Sequence, residues 1–436
     1  MRLLAILAAA AAPAFSEWLA GAARADLTPP EPVWMAGYGS RTKPMEGVRR
    51  KIWAKALALR DSAGATSVLV TLDLCDIDRH SAARIAERAR GLGIPRERLI
   101  LNTSHTHSGP IFGPPDNYLF LMGPDPAIHS AAIARSTPFA ATRSGDAIAE
   151  AVKALRPATV RFGQGFAGFA VNRRRVWKRE LPGPVDHDVP VLEARGSDGR
   201  PIAVAVGYAC HSTVLSDYRI NGDWPGYFQE SLESAYPGAV ALFVQGAGAD
   251  ANPLPRRTEE IARRYGETLT AAAAEVLSGK MRPLSGPLRA VLEYVELGFQ
   301  VPSRAQLEET ARSKDSSAAR HAKGLLAKLD RDGKLPPSHP YPVQAWNFGG
   351  MTMLALGGEV VADYALRFKG RYGWDSTWIA GYSNDVFAYI PSLRVLREGG
   401  YEGATAMQWD GHAGPFQEDV EEKIAAKVEE VVRKAR

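Results

Sequence analysis

Residues 98–110 have the sequence RLILNTSHTHSGP, in which an apolar run is followed at once by polar residues. The run at 98–102 predicts a short buried strand, because it is apolar and polar residues bound it. His105 and His107 then come directly after this strand. In α/β proteins, ligands and catalytic groups gather at the carboxyl ends of strands. The stretch therefore predicts an α/β sheet with a functional site at one edge.

The same pattern recurs at four further places along the chain. Apolar runs at 202–210, 240–244, 351–356 and 378–381 are followed by polar groups at 211–213, 245–250, 357–359 and 382–385. Between these runs, Ala- and Arg-rich helical segments alternate with short β-branched segments, which is typical of an α/β architecture. We predict one α/β domain over residues 17–436. It has a single large mixed sheet, helices packed around it and a metal site at the strand ends.

The predicted elements alternate along the whole chain. The predicted strands lie at residues 17–28, 56–59, 67–74, 98–102, 159–162, 202–209, 240–245, 288–296, 351–356 and 377–381. The predicted helices lie at 80–92, 144–154, 258–277, 304–332 and 415–435. The segment 304–332 is long, charged and periodic, and it predicts an exposed helical hairpin. Proline-rich patches at 113–115, 336–337 and 340 are interpreted as surface loops.

The N-terminus has the pattern of an export signal. Arg2 precedes an apolar stretch at 3–14, which is far shorter than the ~20 residues of a membrane span. Ala14-Phe15-Ser16 is a small-x-small cleavage site, and a second candidate lies at 23–25. We predict a signal peptide at 1–16 and a secreted or periplasmic protein, with a buried N-terminal helix as the alternative. No later stretch is apolar and long enough to predict a transmembrane segment.

Charge and cysteine content exclude some functions. The chain has 53 Lys and Arg against 48 Asp and Glu, and its densest basic run is only Arg173–Arg175. This weak signal does not indicate nucleic-acid binding. Cys75 and Cys210 each end an apolar run and could form a disulfide or remain buried thiols. Neither has a CxxC partner, so a cysteine-based zinc site is not indicated.

Histidine placement favours a metal site of a less common kind. Three of the nine histidines, His105, His107 and His211, follow predicted strands. Two imidazoles two residues apart suit metal binding or catalysis, whereas an isolated histidine such as His211 is more often structural. The chain has no H-E-x-x-H, no G-x-S-x-G elbow and no complete dinucleotide loop. These absences argue against the common zinc-protease, serine-hydrolase and dinucleotide-binding layouts.

Four motifs together resemble the neutral/alkaline ceramidase family. They are AGYGSR at 36–41, SHTHSGP at 104–110, Gly358-Glu359, and YEGA at 401–404. The element HTHSGP is the most specific of them. The similarity extends from about residue 19 to residue 407, which is nearly the whole mature chain.

The resemblance implies a zinc enzyme that hydrolyses a linear amide with metal-activated water. It implies these zinc ligands: His105, His211, Glu359 and Tyr389. It implies these residues around the developing oxyanion: His107, Arg173 and Tyr401. His107 is also the implied acid for the leaving amine. The match of Arg173 is the least defined, because Arg174 and Arg175 follow it directly.

The chain departs from the family pattern in two places. Gln245-Gly246 stands where ceramidases have a serine, and the chain ends at Arg436, before an immunoglobulin-like domain. The resemblance still predicts hydrolysis of an amide, and the departures extend the expected substrate from ceramide to other N-acyl lipids. We also expect transient contact with a membrane surface. One alternative is a metal-dependent amidase or esterase on a small non-lipid substrate. Another is a non-catalytic exported binding protein.

Overall fold

The computed structural model describes residues 18–113 and 126–436. The predicted signal peptide at 1–16 lies outside these described residues. Within them, no helix combines the length and apolar character that crossing a bilayer requires. Cys75 and Cys210 are both buried free thiols, so the disulfide alternative is not realised.

Within the described residues, nineteen strands form one large sheet, one smaller sheet and several short pairs. In chain order they are β1 Trp18–Asp26, β2 Gly47–Val48, β3 Trp53–Arg60, β4 Thr66–Leu72, β5 Leu99–Thr103, β6 Arg156–Phe166, β7 Ala170–Asn172, β8 Asp188–Gly196, β9 Pro201–Tyr208, β10 Arg219–Ile220, β11 Val240–Gln245, β12 Ala251–Pro253, β13 Arg282–Leu284, β14 Arg289–Gly298, β15 Ser338–Asn347, β16 Thr352–Leu356, β17 Glu359–Val360, β18 Thr377–Ala380 and β19 Tyr389–Ile390.

The described α-helices are α1 Arg79–Arg90, α2 Pro126–Lys153, α3 Arg173–Trp177, α4 Asp223–Ala235, α5 Glu259–Ser278, α6 Arg304–Thr310, α7 Ser316–Asp332, α8 Ala362–Tyr372, α9 Leu393–Glu398, α10 Met407–Asp410 and α11 Val420–Lys434. Of these, α1, α2, α4, α5, α8 and α11 cover the outer faces of the sheets. A short π-helical turn, Tyr401–Thr405, lies between α9 and α10.

The large sheet has the strand order β11-β9-β8-β6-β1-β3-β4-β5, with β13 beside β6. It is mixed, because the β4–β5 and β9–β11 pairs are parallel and its other pairs are antiparallel. The smaller sheet has the order β14-β15-β16-β18. The predicted α/β fold with a large mixed sheet is confirmed. The smaller sheet is an addition that the sequence pattern did not reveal.

Strand β4 shows how the two sheets share a core. Val68 and Val70 pack towards α1 and α2, whereas Leu69 packs into a second cluster with Trp346 and Trp378 of the smaller sheet. Successive strand residues point to opposite faces, so a strand covered on both sides is a continuous apolar run. On its outer face the smaller sheet is covered by α8 and α11. The layers are therefore helices, large sheet, smaller sheet and helices.

One detail differs from the sequence interpretation, and the helical hairpin predicted at 304–332 is confirmed. Pro340, taken there as a loop residue, lies in β15. It is tolerated because the first half of β15 pairs only with β14, and β16 joins from Val343 onward. The segment 304–332 is the helix pair α6 and α7, which pack on each other through Leu307, Ala322 and Leu325.

Candidate functional site

The predicted site residues follow strands of both sheets. His105 and His107 come just after β5, and His211 comes three residues after β9. Glu359 begins β17, which directly follows the smaller sheet's β16. Tyr389 begins β19, and its Cα is the register partner of Glu359 in a short parallel pair. The topology thus brings donors from distant parts of the chain to one edge.

Backbone conformation is unusual at this edge. His105, Tyr382 and Asn384 have positive φ values of 55°, 48° and 68°. Non-glycine residues seldom adopt this region, and such strain persists only where the surroundings impose it. Here Asn384 N–H donates to the Leu101 carbonyl at 2.8 Å, and the Asn102 amide donates to the Gly381 carbonyl at 2.7 Å. These bonds join the strand ends of the two sheets close to His105.

The two imidazoles are anchored to backbone carbonyls. His105 Nδ1 lies 2.9 Å from the Cys75 oxygen, and His211 Nδ1 lies 2.8 Å from the Gly248 oxygen. A carbonyl can only accept, so in each ring the proton on Nδ1 is donated to it. The lone pair is then on Nε2, as in metal-binding histidines whose other nitrogen is held by the protein.

Both Nε2 atoms face the Glu359 carboxylate. Glu359 Oε2 lies 3.1 Å from His105 Nε2 and 3.4 Å from His211 Nε2. Tyr389 OH lies 3.2 Å from His211 Nε2. The ligand atoms of His105, His211 and Glu359 all lie within 4.8 Å of one another. This buried set of nitrogen and oxygen donors is chemically suited to zinc, so the residues present fit the predicted metal.

Two further predicted residues border the donor set. His107 Nε2 lies 3.1 Å from His105 Nε2, and within the described residues His107 Nδ1 is buried without a hydrogen-bond partner. The Tyr401 ring lies 5.2 Å from the Tyr389 ring. All seven residues singled out by the sequence therefore meet at one place.

Arg173 is the arginine of the basic run that reaches the site. Its Nη1 lies 3.3 Å from His211 Nε2, and its Nη2 donates to Tyr389 OH at 3.2 Å. Glu402 holds it there, because one carboxylate oxygen accepts from Arg173 Nε at 2.6 Å and the other from Arg174 Nη1 at 2.7 Å. Arg175 is exposed. Glu402 stands in the motif YEGA, 229 positions from Arg173, and no local sequence signal joins the two residues.

Burial and nearby charges favour neutral imidazoles at two of the histidines and protonated phenols at the two tyrosines. Burial and the Arg173 charge lower the pKa of His211 to about 4, so its imidazole is neutral at neutral pH. Burial together with the other two histidines lowers the pKa of His107 well below its usual value. Burial and the Glu359 charge raise the pKa of Tyr389 and of Tyr401 above the usual phenol value.

Glu359 and His105 behave as a coupled pair. Burial alone would raise the pKa of Glu359, but the charge and hydrogen bond of His105 lower it well below its usual value. Burial would lower the pKa of His105, but the Glu359 carboxylate raises it well above. The carboxylate thus favours positive charge beside it, and a bound metal ion can supply that charge in place of the proton.

A cavity of about 550 Å³ opens onto the donor set. One part of its wall is apolar and includes Trp34, Met35, Ile111 and Trp409. The lining also includes the ionisable residues Asp76, Asp410 and Arg320, and burial raises the pKa of Asp410 well above its usual value. Arg320 belongs to α7, so the helix pair α6–α7 borders this cavity.

The family departure at 245–246 lies behind the site. Gln245 is fully buried, and its side-chain amide donates to the Cys210 carbonyl at 2.9 Å. A Cβ atom added at Gly246 would lie 3.0 Å from the Ala209 Cβ atom, which leaves little room for serine. Neither residue is among those that line the cavity. The change therefore affects packing beneath His211 and leaves the described cavity wall as it is.

The fold and the site together define an α/β protein with a histidine–carboxylate candidate metal centre. Residues 18–254 match the sequence model of the neutral/alkaline non-lysosomal ceramidases, N-terminal part. This match spans more than half of the 436 residues. The chain therefore belongs to the neutral/alkaline non-lysosomal ceramidase family, and the predicted resemblance is confirmed.

Two solved structures are similar to the whole described chain. A ceramidase complexed with C2 has a TM-score of 0.75 at 17% identity, and the alignment covers 96% of this chain and 75% of that one. Neutral ceramidase from Pseudomonas aeruginosa has a TM-score of 0.73 at 18% identity, with 95% and 75% covered. At this identity the likeness shows a shared fold.

Proposed function

We propose that the protein is a zinc-dependent hydrolase that cleaves the amide bond of an N-acyl lipid such as ceramide, releasing a fatty acid and an amine. The observation that carries the proposal is the arrangement of His105 and His211. Both imidazoles are fixed through Nδ1 to backbone carbonyls, and both direct Nε2 at the buried Glu359 carboxylate. Membership of the ceramidase family supports the same reaction class.

The proposed metal ligands are His105, His211, Glu359 and Tyr389. Zinc bound by them would supply Lewis acidity and lower the pKa of a water molecule to about 7. The carbonyl anchors orient the imidazoles, and burial excludes competing water from the donors. Metal dependence is therefore a property that can be tested independently of the substrate.

The remaining polar residues are assigned to the acyl group and the leaving amine. Arg173 is held in place by Glu402 and carries N–H groups beside the donor set, where it can stabilise the negative charge that develops on the amide oxygen. The Tyr401 phenol keeps its proton, since its pKa is raised, and can donate to the same oxygen. His107 Nε2 faces the donor set and is the proposed proton donor to the departing nitrogen.

The cavity supports an N-acyl lipid through its apolar wall. Trp34, Met35, Ile111 and Trp409 offer aromatic and aliphatic surface next to the donor set. Burial of each acyl methylene there would contribute about 0.8 kcal/mol. Such a wall gives an acyl chain a favourable place to bind.

A small polar amide is the second candidate, and the ionisable residues of the same cavity favour it. Asp76, Asp410 and Arg320 would solvate a charged or hydroxylated amine group better than a second alkyl chain. The leading proposal places the acyl chain on the apolar wall and the amine part towards these residues.

The testing experiment is release of fatty acid from a panel of N-acyl amides by the zinc-loaded protein, with and without chelator. Ceramide cleavage that chelator removes and zinc restores would support the full proposal. Chelator-sensitive cleavage of only small amides would support the second candidate. No hydrolysis across the panel by folded, zinc-containing protein would overturn the enzyme proposal and favour a binding protein.

Export completes the proposal. We propose that residues 1–16 are removed and that the mature protein is secreted or periplasmic. The mass of the protein recovered outside the cytoplasm tests this: a chain beginning at Glu17 is expected. A full-length chain retained in the cytoplasm would contradict it.

A further inference from the structure

A second group of potential metal ligands overlaps the first. The ligand atoms of Cys75, His105 and His107 all lie within 4.8 Å of one another. Cys75 Sγ lies 3.6 Å from His105 Nδ1, and the Cys75 side chain lines the same cavity as the candidate site. His105 belongs to both groups, whereas Glu359 and His211 belong only to the first.

An independent observation also points to a ligand at this second group. His107 is buried, and its Nδ1 has no hydrogen-bond partner within the described residues. Buried polar atoms in proteins are nearly always paired, so such an atom needs an explanation. One ring nitrogen of His107 is therefore free to bind a ligand without breaking a hydrogen bond of the protein.

The two groups differ in chemical softness. The first combines imidazole nitrogen with carboxylate and phenol oxygen, whereas the second combines imidazole nitrogen with sulfur. Thiolate ligands select soft cations such as Cd²⁺ and Cu⁺, and they also bind Zn²⁺. Cys75 is a buried free thiol, so a cation that binds its sulfur has to displace the thiol proton.

We propose that Cys75, His105 and His107 form an inhibitory site for soft metal ions beside the candidate zinc site. When a soft cation binds, the Cys75 thiol loses its proton to solvent and a metal–sulfur bond forms. The cation then engages His107, the proposed proton donor, and competes with zinc for His105 Nε2, because His105 Nδ1 donates to the Cys75 carbonyl. Occupancy of this site and turnover at the zinc site therefore exclude each other. The inhibitory consequence rests on the proposed function, but the metal–sulfur bond does not.

The test is a Cd²⁺ titration of the zinc-loaded protein, followed by the ultraviolet charge-transfer absorption of a cadmium–thiolate bond. The chain has only two cysteines, so the signal can be assigned. Cys210→Ala is the matched control, because Cys210 is also a buried free thiol but packs in a hydrophobic cluster outside both ligand groups. The absorption is expected in the wild type and in Cys210→Ala and should be missing in Cys75→Ala.

Two results would overturn the site. One is no charge-transfer absorption in the wild type, and the other is absorption that persists in folded Cys75→Ala. If Cys75→Ala does not fold, the test is the rate at which wild-type Cys75 is alkylated, measured by mass spectrometry. Bound Cd²⁺ should slow this alkylation, and an unchanged rate would contradict the site.

Inhibition provides the second measurement. If the protein hydrolyses amides, the Cd²⁺ concentration for half-inhibition should rise by about tenfold or more in Cys75→Ala, since even outer-shell changes cost a metal site 10–100-fold in affinity. An unchanged value would contradict the inhibitory role. If the wild-type protein is inactive but still shows the cadmium–thiolate absorption, the proposed reaction is wrong and this metal site is supported.

Discussion

The two sheets supply the candidate site with different chemistry. Segments that follow large-sheet strands provide the nitrogen groups of His105 and His211, and both rings are anchored to backbone carbonyls. Segments that follow strands of the smaller sheet provide the oxygen groups of Glu359 and Tyr389, which are held by other side chains. Neither half contains the whole donor set. The site therefore depends on how the two sheets pack together.

The largest effect is expected when one donor is removed, either from the large-sheet segments or from the smaller-sheet segments. His211→Ala and Glu359→Gln should both lower zinc affinity by more than about 100-fold, because each takes away a direct ligand where outer-shell changes alone cost 10–100-fold. Metal content by mass spectrometry after dialysis measures the effect. His80→Ala, at an exposed histidine of α1, should keep zinc. Retention of zinc by either site variant would remove that residue from the ligand set.

The packing between the sheets can be broken at Trp378. This side chain is 1% exposed and lies in the cluster that large-sheet residues share with the smaller sheet. Trp378→Ala should cost about 3–5 kcal/mol of unfolding free energy, because it leaves a large cavity. Urea unfolding followed by circular dichroism measures it.

Trp374→Ala is the matched control for this change. Trp374 is 48% exposed, and its replacement should alter stability by no more than about 0.5 kcal/mol. Equal effects of the two substitutions would show that the shared core does not hold the sheets together. Two separate transitions in Trp378→Ala would show that they unfold independently.

Arg173, at the start of α3, tests the proposed stabilisation of the negative charge on the amide oxygen. Arg173→Ala should lower the kcat of the zinc-saturated protein by about 10²–10³-fold, as loss of an oxyanion donor does. Arg175→Ala lies on the same short helix but is exposed, and it should leave kcat as it was. Steady-state kinetics of both variants gives the comparison. A wild-type kcat in Arg173→Ala would remove the arginine from the reaction.

The smallest expected effect concerns Asp250, which joins the two regions. Its carboxylate accepts from Asn172 Nδ2 at 2.8 Å and from Ala362 N–H at 2.9 Å. Burial raises its pKa from 3.8 to about 6. Between about pH 4 and 6 the folded state then binds more protons than the unfolded state, so this group's contribution to stability falls as pH rises.

Asp250→Asn should therefore remove a decrease of up to about 3 kcal/mol across this pH range, since one pKa unit corresponds to about 1.4 kcal/mol. Urea unfolding at several pH values gives the slope, and the comparison is of slopes, because the amide also changes the hydrogen bonds. Asp375→Asn, at an exposed position, should keep the wild-type slope. The same slope in Asp250→Asn would contradict the raised pKa.

The site was predictable to the extent that local sequence determined it. His105, His107 and His211 follow apolar runs, and the rule about strand ends is enough to bring them together. The same rule indicated Glu359 after the run 351–356, and the family resemblance added Tyr389, which no periodicity could have paired with it. The positive φ values of Tyr382 and Asn384 were not predictable, because neither is glycine and tertiary hydrogen bonds impose them.

The smaller sheet was missed for a physical reason. Its central strand β15 contains Pro340 and Pro342, which are turn signals in a local interpretation. Their missing N–H groups cost little because the partner strand β16 begins to pair only at Val343. Arg173 was assigned from the family resemblance although Arg174 and Arg175 follow it directly, and the structure shows that Arg173 lies beside His211 and Tyr389.

The helix pair α6–α7 has a consequence for how this protein could diversify. Arg320 and Ser317 of α7 border the cavity, yet no residue of the pair belongs to the donor set. Two side chains of α7, His321 and Lys328, reach the backbone carbonyls of His412 and Gly411. Substitutions in this pair would therefore reshape one side of the cavity and leave the donor set unchanged. The shape of the cavity and the identity of the donor set can therefore change independently of each other.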